Sequence, residues 1–110
     1  MNRQFLRATL LTVLAMFASP AILAEEVWID VRSAFEHKID RIDGDIRMSH
    51  SDIVAEVSRQ FPDKDTDIRL YCRSGGRAGK AQAALEEAGY RNVKNIGGIG
   101  EARRERGLDH

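Results

Sequence analysis

The chain has 110 residues, 17 basic and 17 acidic side chains and one cysteine, a length that fits a single domain. Balanced charge with no basic stripe excludes a nucleic-acid-binding surface. One cysteine excludes an internal disulfide; in an exported protein an odd cysteine is an intermolecular partner or a free reactive thiol.

Arg3 and Arg7 precede a mostly apolar run from Ala8 to Phe17, broken by Ser19, Pro20 and Ala21, and Ala24 stands before Glu25 and Glu26. Basic, apolar, then small residues is the order of a secretory signal peptide. The apolar run is short for a membrane span, which takes roughly 20 residues. Residues 1–24 are therefore expected to be a signal peptide cleaved after Ala24, with Ala21 as the rival site. Residues 25–110 would then be the mature domain, exported to the periplasm. Losing Arg3 and Arg7 leaves 15 basic and 17 acidic residues, a net charge of −2. No second long apolar run holds this part to a membrane. It is expected to be a soluble monomer that binds neither nucleic acid nor, once cleaved, a membrane.

Val27-Trp28-Ile29 reads as a short buried strand ending at Asp30. Ser33 with Glu36 three residues later matches a capping box at a helix start, and Phe35 and Ile39 would share that helix's inner face. A polar turn around Gly44 leads to a short strand at Ile46–Met48. A second helix is expected from Ser49 or Ser51, since Ile53, Val54, Val57 and Phe61 recur at helical spacing, and Pro62 closes it. Ile68–Tyr71 is the next strand, with Cys72 at its carboxyl end. Gly75 and Gly76 favour a tight loop. From Arg77 a helix is expected, with Ala78, Ala81, Ala84, Leu85 and Ala88 as its buried stripe. Gly89 is its left-handed terminator, with Tyr90 the apolar residue beyond. Val93–Ile96 is a further strand, and residues 99–106 form a last charged helix. Strand and helix alternate, which predicts an α/β fold with a mostly parallel sheet flanked by helices.

The chemistry converges on Cys72-Arg73-Ser74-Gly75-Gly76-Arg77. Ligands of open parallel sheets bind beyond the carboxyl ends of the strands. A glycine-rich loop there can turn successive N–H groups to one centre as an anion nest, and the following helix adds its positive end. Arg73 and Arg77 add formal charge. All of this favours thiolate over thiol and would hold an anionic substrate against the nucleophile. The bland alternative, a buried structural cysteine, has no use for an electropositive loop.

The segment Tyr71-Cys72-Arg73-Ser74-Gly75-Gly76-Arg77-Ala78 resembles the active-site loop of the rhodanese family, most of all its small exported single-domain members of the phage-shock protein E kind. Trp28-Ile29-Asp30-Val31-Arg32 is similar to the family's Asp-Val-Arg segment. Arg41-Ile42-Asp43-Gly44-Asp45-Ile46 is similar to its His-Ile-x-Gly-Ala-Ile stretch, with Arg41 in place of histidine and Asp45 in place of alanine. Gly89-Tyr90-Arg91-Asn92-Val93 and then Gly97-Gly98 resemble its last strand and turn, though the family's tryptophan after that turn is absent. The resemblance covers roughly residues 27–107. It implies a single rhodanese-like domain that moves the outer sulfur of thiosulfate, or a similar small anionic donor, to a thiophilic acceptor such as cyanide. Cys72 would carry the sulfur as a persulfide, and Arg73, Ser74, Gly75, Gly76 and Arg77 would bind the substrate. No metal or organic cofactor is needed for sulfur to pass between thiolates.

Cysteine-dependent phosphatases and arsenate reductases use a similar strand–loop–helix, but their loops carry arginine six positions after the cysteine. Here that position is Ala78, so the bidentate clamp on a phosphoryl group is missing. A thiol–disulfide oxidoreductase needs a resolving cysteine. The other alternative is a rhodanese fold that carries sulfur or docks a partner without turnover, because fold does not fix function. His37 and His50 read as surface histidines, and His110 lies at a frayed end; none has ligand-spaced neighbours for a metal. Asp30 and Arg32 read as an ion pair or loop anchor, and Glu101–Arg106 as a solvated face of mixed charge.

Overall fold

The computed structural model describes residues 25–109. The signal-peptide reading of residues 1–24 and the reading of His110 lie outside the described residues. Four strands, β1 (Glu26–Asp30), β2 (Ile46–Arg47), β3 (Asp67–Cys72) and β4 (Val93–Gly98), alternate with four helices, α1 (Ala34–Ile39), α2 (Ile53–Gln60), α3 (Gly76–Glu87) and α4 (Ile99–Glu105). The sheet is entirely parallel in the order β2-β1-β3-β4. This is the α/β architecture that the alternation of elements predicts.

Successive side chains on a strand point to opposite faces, and here each face has its own core. Ile29, Ile68, Leu70 and Val93 turn to one side, where they pack with Ile53 and Val57 of α2 and Ala78, Ala81 and Leu85 of α3. Trp28 and Tyr71 turn to the other and meet Ile42 and Ala102. Cys72 shares the face of Ile68 and Leu70 and is buried with them, which carries its sulfur to the underside of the α3 N-terminus.

The small stripe Ala78, Ala81 and Leu85 is fully buried, and Ala84 and Ala88 pack at its edge. Helix α3 ends as the glycine predicts. Gly89 has φ +102°, its N–H donates to Glu86 O, and the Tyr90 N–H donates to Leu85 O, both at 3.0 Å, which is the Schellman pattern.

Three expectations are corrected. Helix α2 starts at Ile53 and not at Ser49 or Ser51. The two serines bond each other, and the Ser51 N–H donates to Ser49 Oγ; such local bonds hold a turn against the helix. Phe35 and Ile39 do not face inward: they are 70% and 68% exposed. The capping box at Ser33 forms as expected, but the side of α1 turned to the protein is made by Glu36 and His37, which bond Arg77 and Asp30. The run Glu101–Arg106 is not simply a solvated face. Ala102 and Arg103 are buried, and Arg106 lies over the Trp28 ring with its guanidinium on Asp45.

Candidate active site

Strand β3 delivers Cys72 to the carboxyl edge of the sheet, and the chain turns through Arg73, Ser74 and Gly75 into α3. Gly75 makes the turn with φ +104°, a conformation that costs other residues a Cβ clash. Its N–H then donates to Cys72 Sγ at 2.9 Å. The N–H groups of Ala78, Ser74 and Arg77 aim at the same sulfur. Burial alone would push the thiol's pKa up; these four amides outweigh it and hold the pKa below the ordinary value. The anion nest expected from the glycines is therefore present, and it is built on the sulfur itself.

The end of β4 is the wall behind the loop. Cys72 pairs with Gly98 and Tyr71 with Gly97, across an irregularity in register. Asn95 donates its side-chain amide to Gly75 O at 3.0 Å and accepts the Gly97 N–H at 2.9 Å. It ties the loop to the strand through the residue that donates to the sulfur.

The two loop arginines differ. Arg73 is exposed and borders an open cleft of about 310 Å³ shared with Arg32, Phe35, Glu36 and Ile99. The Arg77 guanidinium forks onto Glu36 of α1, 2.7 Å to Oε1 and 3.0 Å to Oε2. Arg77 and the Ser33 cap hold the Glu36 carboxyl well below the usual carboxylate range. Ser74 and Gly76 are exposed, and of the two it is the Ser74 main chain that acts on the sulfur. Glu36 and Asn95 are absent from the sequence-based site. The capping box signals Glu36 only as a cap, and its ion pair spans 41 positions.

Beside Cys72, at the same sheet edge, lies a buried cluster. Asp30 is fully buried and accepts from the Arg32 N–H and guanidinium and contacts His37 Nδ1 at 2.9 Å. Burial would raise the Asp30 pKa, but the bonds to Arg32 and His37 bring it below the ordinary value. Arg32 also donates to the Asp40 carbonyl. Asp30 and Arg32 thus form the anchor their sequence position suggests, while His37 is one of its members and not a simple surface histidine. Among the described residues no group of three or more His, Cys, Asp or Glu side chains is placed to hold a metal, and no helix is long and apolar enough to cross a membrane.

A model of the rhodanese-like domain matches residues 12–103. The thiosulfate sulfurtransferase PspE of Escherichia coli K12 is 33% identical over 89 residues, covering 81% of this chain and 86% of its own. A tRNA uridine(34) hydroxylase of Sodalis glossinidius is 35% identical over 89 residues, covering 74% of this chain but 25% of its own. Among solved structures, a rhodanese with anions from E. coli superposes with TM-score 0.66 at 31% identity, covering 70% of this chain and 91% of that one. A Rhodanese_3-like domain of an Anabaena protein gives 0.68 at 26% identity, covering 77% and 97%. With this fold, this loop and this match over most of its length, the chain belongs to the rhodanese-like domain family.

Proposed function

We propose that the protein is a thiosulfate sulfurtransferase with Cys72 as its nucleophile. The observation that carries this reading is the convergence of four backbone N–H groups on one buried sulfur. Preorganised donors of this kind stabilise charge without reorganising during the reaction. The Cys72 thiolate attacks the outer sulfur of thiosulfate. A new S–S bond forms, the donor's S–S bond breaks, and sulfite leaves with its electron pair. The resulting persulfide anion lies in the same cradle. Cyanide, or another thiophilic acceptor, attacks the terminal sulfur; the S–S bond to Cys72 breaks and the thiolate returns.

The choice of thiosulfate is supported by the name of the relative that shares most of this chain's length. Arg73 and Arg77 would meet an anionic donor at the loop, Ser74, Gly75 and Gly76 would meet it with main chain, and no cofactor enters. The order of residues 1–24 supports export to the periplasm after cleavage near Ala24, leaving a monomeric domain.

Intact mass is the test. Purified protein treated with thiosulfate should gain one sulfur, and cyanide should remove it. Cys72→Ser should fold normally and show neither change, because the serine hydroxyl is neither soft nor ionised at neutral pH. Retention of more than a small fraction of the transfer by Cys72→Ser would sink the mechanism. A second reading, a sulfur carrier without turnover, draws support from the hydroxylase relative, of which this domain matches only a quarter. Persulfide formation without steady-state release to cyanide would favour it.

A further inference from the structure

Arg73 and Arg77 flank the same nucleophile, yet only one has its charge free. Arg73 forms no ion pair among the described residues. Arg77 is held at both ends: its main-chain N–H is aimed at Cys72 Sγ, and its guanidinium is forked on Glu36. Glu36 is itself fixed by the Ser33 N–H and hydroxyl, both at 2.9 Å from Oε1. The Arg77 and Glu36 side chains are only 31% and 23% exposed, and a bidentate fork of this kind is directional as well as charge-assisted. The cation next to the nucleophile is therefore neutralised by a carboxylate brought in by another helix.

This matters for an anionic donor. Thiosulfate is a dianion that must approach a thiolate. A free Arg77 would offset that repulsion, whereas a paired one offers little net charge and brings Glu36 with it. We propose that Glu36 is a positioning residue for donor specificity: by holding the Arg77 fork it disfavours dianionic sulfur donors relative to monoanionic ones such as organic thiosulfonates. The inference rests on the reading of Cys72 as a sulfur-transfer nucleophile.

Glu36→Gln is the variant that tests it. Glutamine can still accept the Ser33 N–H at this place in a capping box, but the charge is gone. The KM for thiosulfate should fall about three-fold, within the range set by partly exposed ion pairs, with kcat unchanged, and the KM for a monoanionic thiosulfonate should fall less. The pH midpoint of Cys72 alkylation should stay or move down. A rise in KM with a midpoint moving up would mean that Glu36 merely props the loop, and an equal fall for both donors would remove the specificity claim; either overturns the proposal. Arg73→Ala touches no ion pair and serves as the second variant. It should raise the thiosulfate KM about three-fold. An unchanged thiosulfate KM in Arg73→Ala would also overturn it, because the unpaired cation would then not act on the donor. Sulfate protection of Cys72 against neutral iodoacetamide repeats the comparison without turnover, and Glu36→Gln should be protected at lower sulfate. A wild-type protein that gains no sulfur from thiosulfate would refute the sulfur-transfer reading, and sulfate protection would still decide the charge inference.

Discussion

The carbonyl oxygen of Arg73 fills the space that a Cβ on Gly98 would need. Gly98 has φ −99° and ψ 171°, an extended conformation open to any residue, so room and not backbone freedom demands glycine there. One residue earlier, the Gly97 Cα lies 3.4 Å from where a Cβ on Gly75 would stand. Strand β4 thus meets the cysteine loop backbone to backbone. This contact sets how deep the loop sits and hence where its amides point.

Gly98→Ala should for that reason damage both stability and chemistry. The added methyl meets the Arg73 carbonyl and, at 2.8 Å, Glu101 Oε1. Overpacking of this kind costs about 1–3 kcal/mol, and displacement of a reacting group by about 1 Å can cost 100-fold in rate. Urea unfolding and kcat/KM for thiosulfate should both fall. Wild-type values for both would show that the loop does not rest on β4.

The cradle also predicts a pH dependence. The Cys72 pKa is held below its ordinary value by the amides of Ala78, Ser74, Gly75 and Arg77, against burial. Alkylation by a neutral reagent should therefore have its midpoint below about 8.5, the value of a free cysteine. An acid whose folded pKa is depressed adds stability above its unfolded pKa and loses it as pH falls through the folded one. The stability of wild type relative to Cys72→Ser should accordingly grow as pH rises from the folded thiol's pKa to the unfolded thiol's pKa. Gly75→Ala, forced to φ +104°, would cost about 1–2 kcal/mol and turn an N–H away. Its alkylation midpoint should rise. An unchanged midpoint would mean the Gly75 amide contributes nothing to the thiolate.

Helix α1 marks the boundary of what the sequence could tell. Its start was legible, because Ser33 and Glu36 are three residues apart and the capping box is a local rule. Cys72 and its nest were legible for the same reason: strand, glycines and helix start are contiguous. The partners of α1 were not. Phe35 and Ile39 have the spacing of a buried stripe, but a helix of six residues has too few positions for periodicity to say which face is inside. The decision came from Arg77, 41 positions along the chain, and from Asp30 at the end of the preceding strand. Ile42 and Arg103 were missed likewise: one apolar residue in a polar turn and one arginine in a charged run carry no period, yet both are buried by elements remote in sequence.

The corrected orientation of α1 is itself testable. Phe35→Ser and Ile39→Ser should each change unfolding free energy by no more than about 0.5 kcal/mol, as exposed positions do. Burying either on an inner face would instead make the loss about 2 kcal/mol or more. Chemical denaturation of the two variants separates these outcomes, and a large loss would restore the inward-facing helix.

The charged tail of the fold makes the opposite prediction. Arg106 follows α4 and reads as surface charge, but its guanidinium forks onto Asp45 at 2.7 and 3.0 Å and lies 4.3 Å from the centre of the Trp28 ring. The Asp45 side chain is 5% exposed and also accepts the Tyr71 hydroxyl at 2.7 Å. Tyr71 precedes the nucleophile, so this knot fixes the strand that delivers Cys72. Removing one partner of a buried pair costs about 3–5 kcal/mol, since the other charge stays buried. Arg106 is a quarter exposed, and solvent screening lowers the expectation for Arg106→Ala to about 2 kcal/mol. Arg106→Lys keeps the charge but loses the planar fork and its stacking on Trp28, so it should recover only part of the loss. Equilibrium unfolding of wild type and the two variants should rank them in that order. Equal stability of all three would make Arg106 the solvated surface charge its sequence suggests, and would leave Asp45 held by Tyr71 alone.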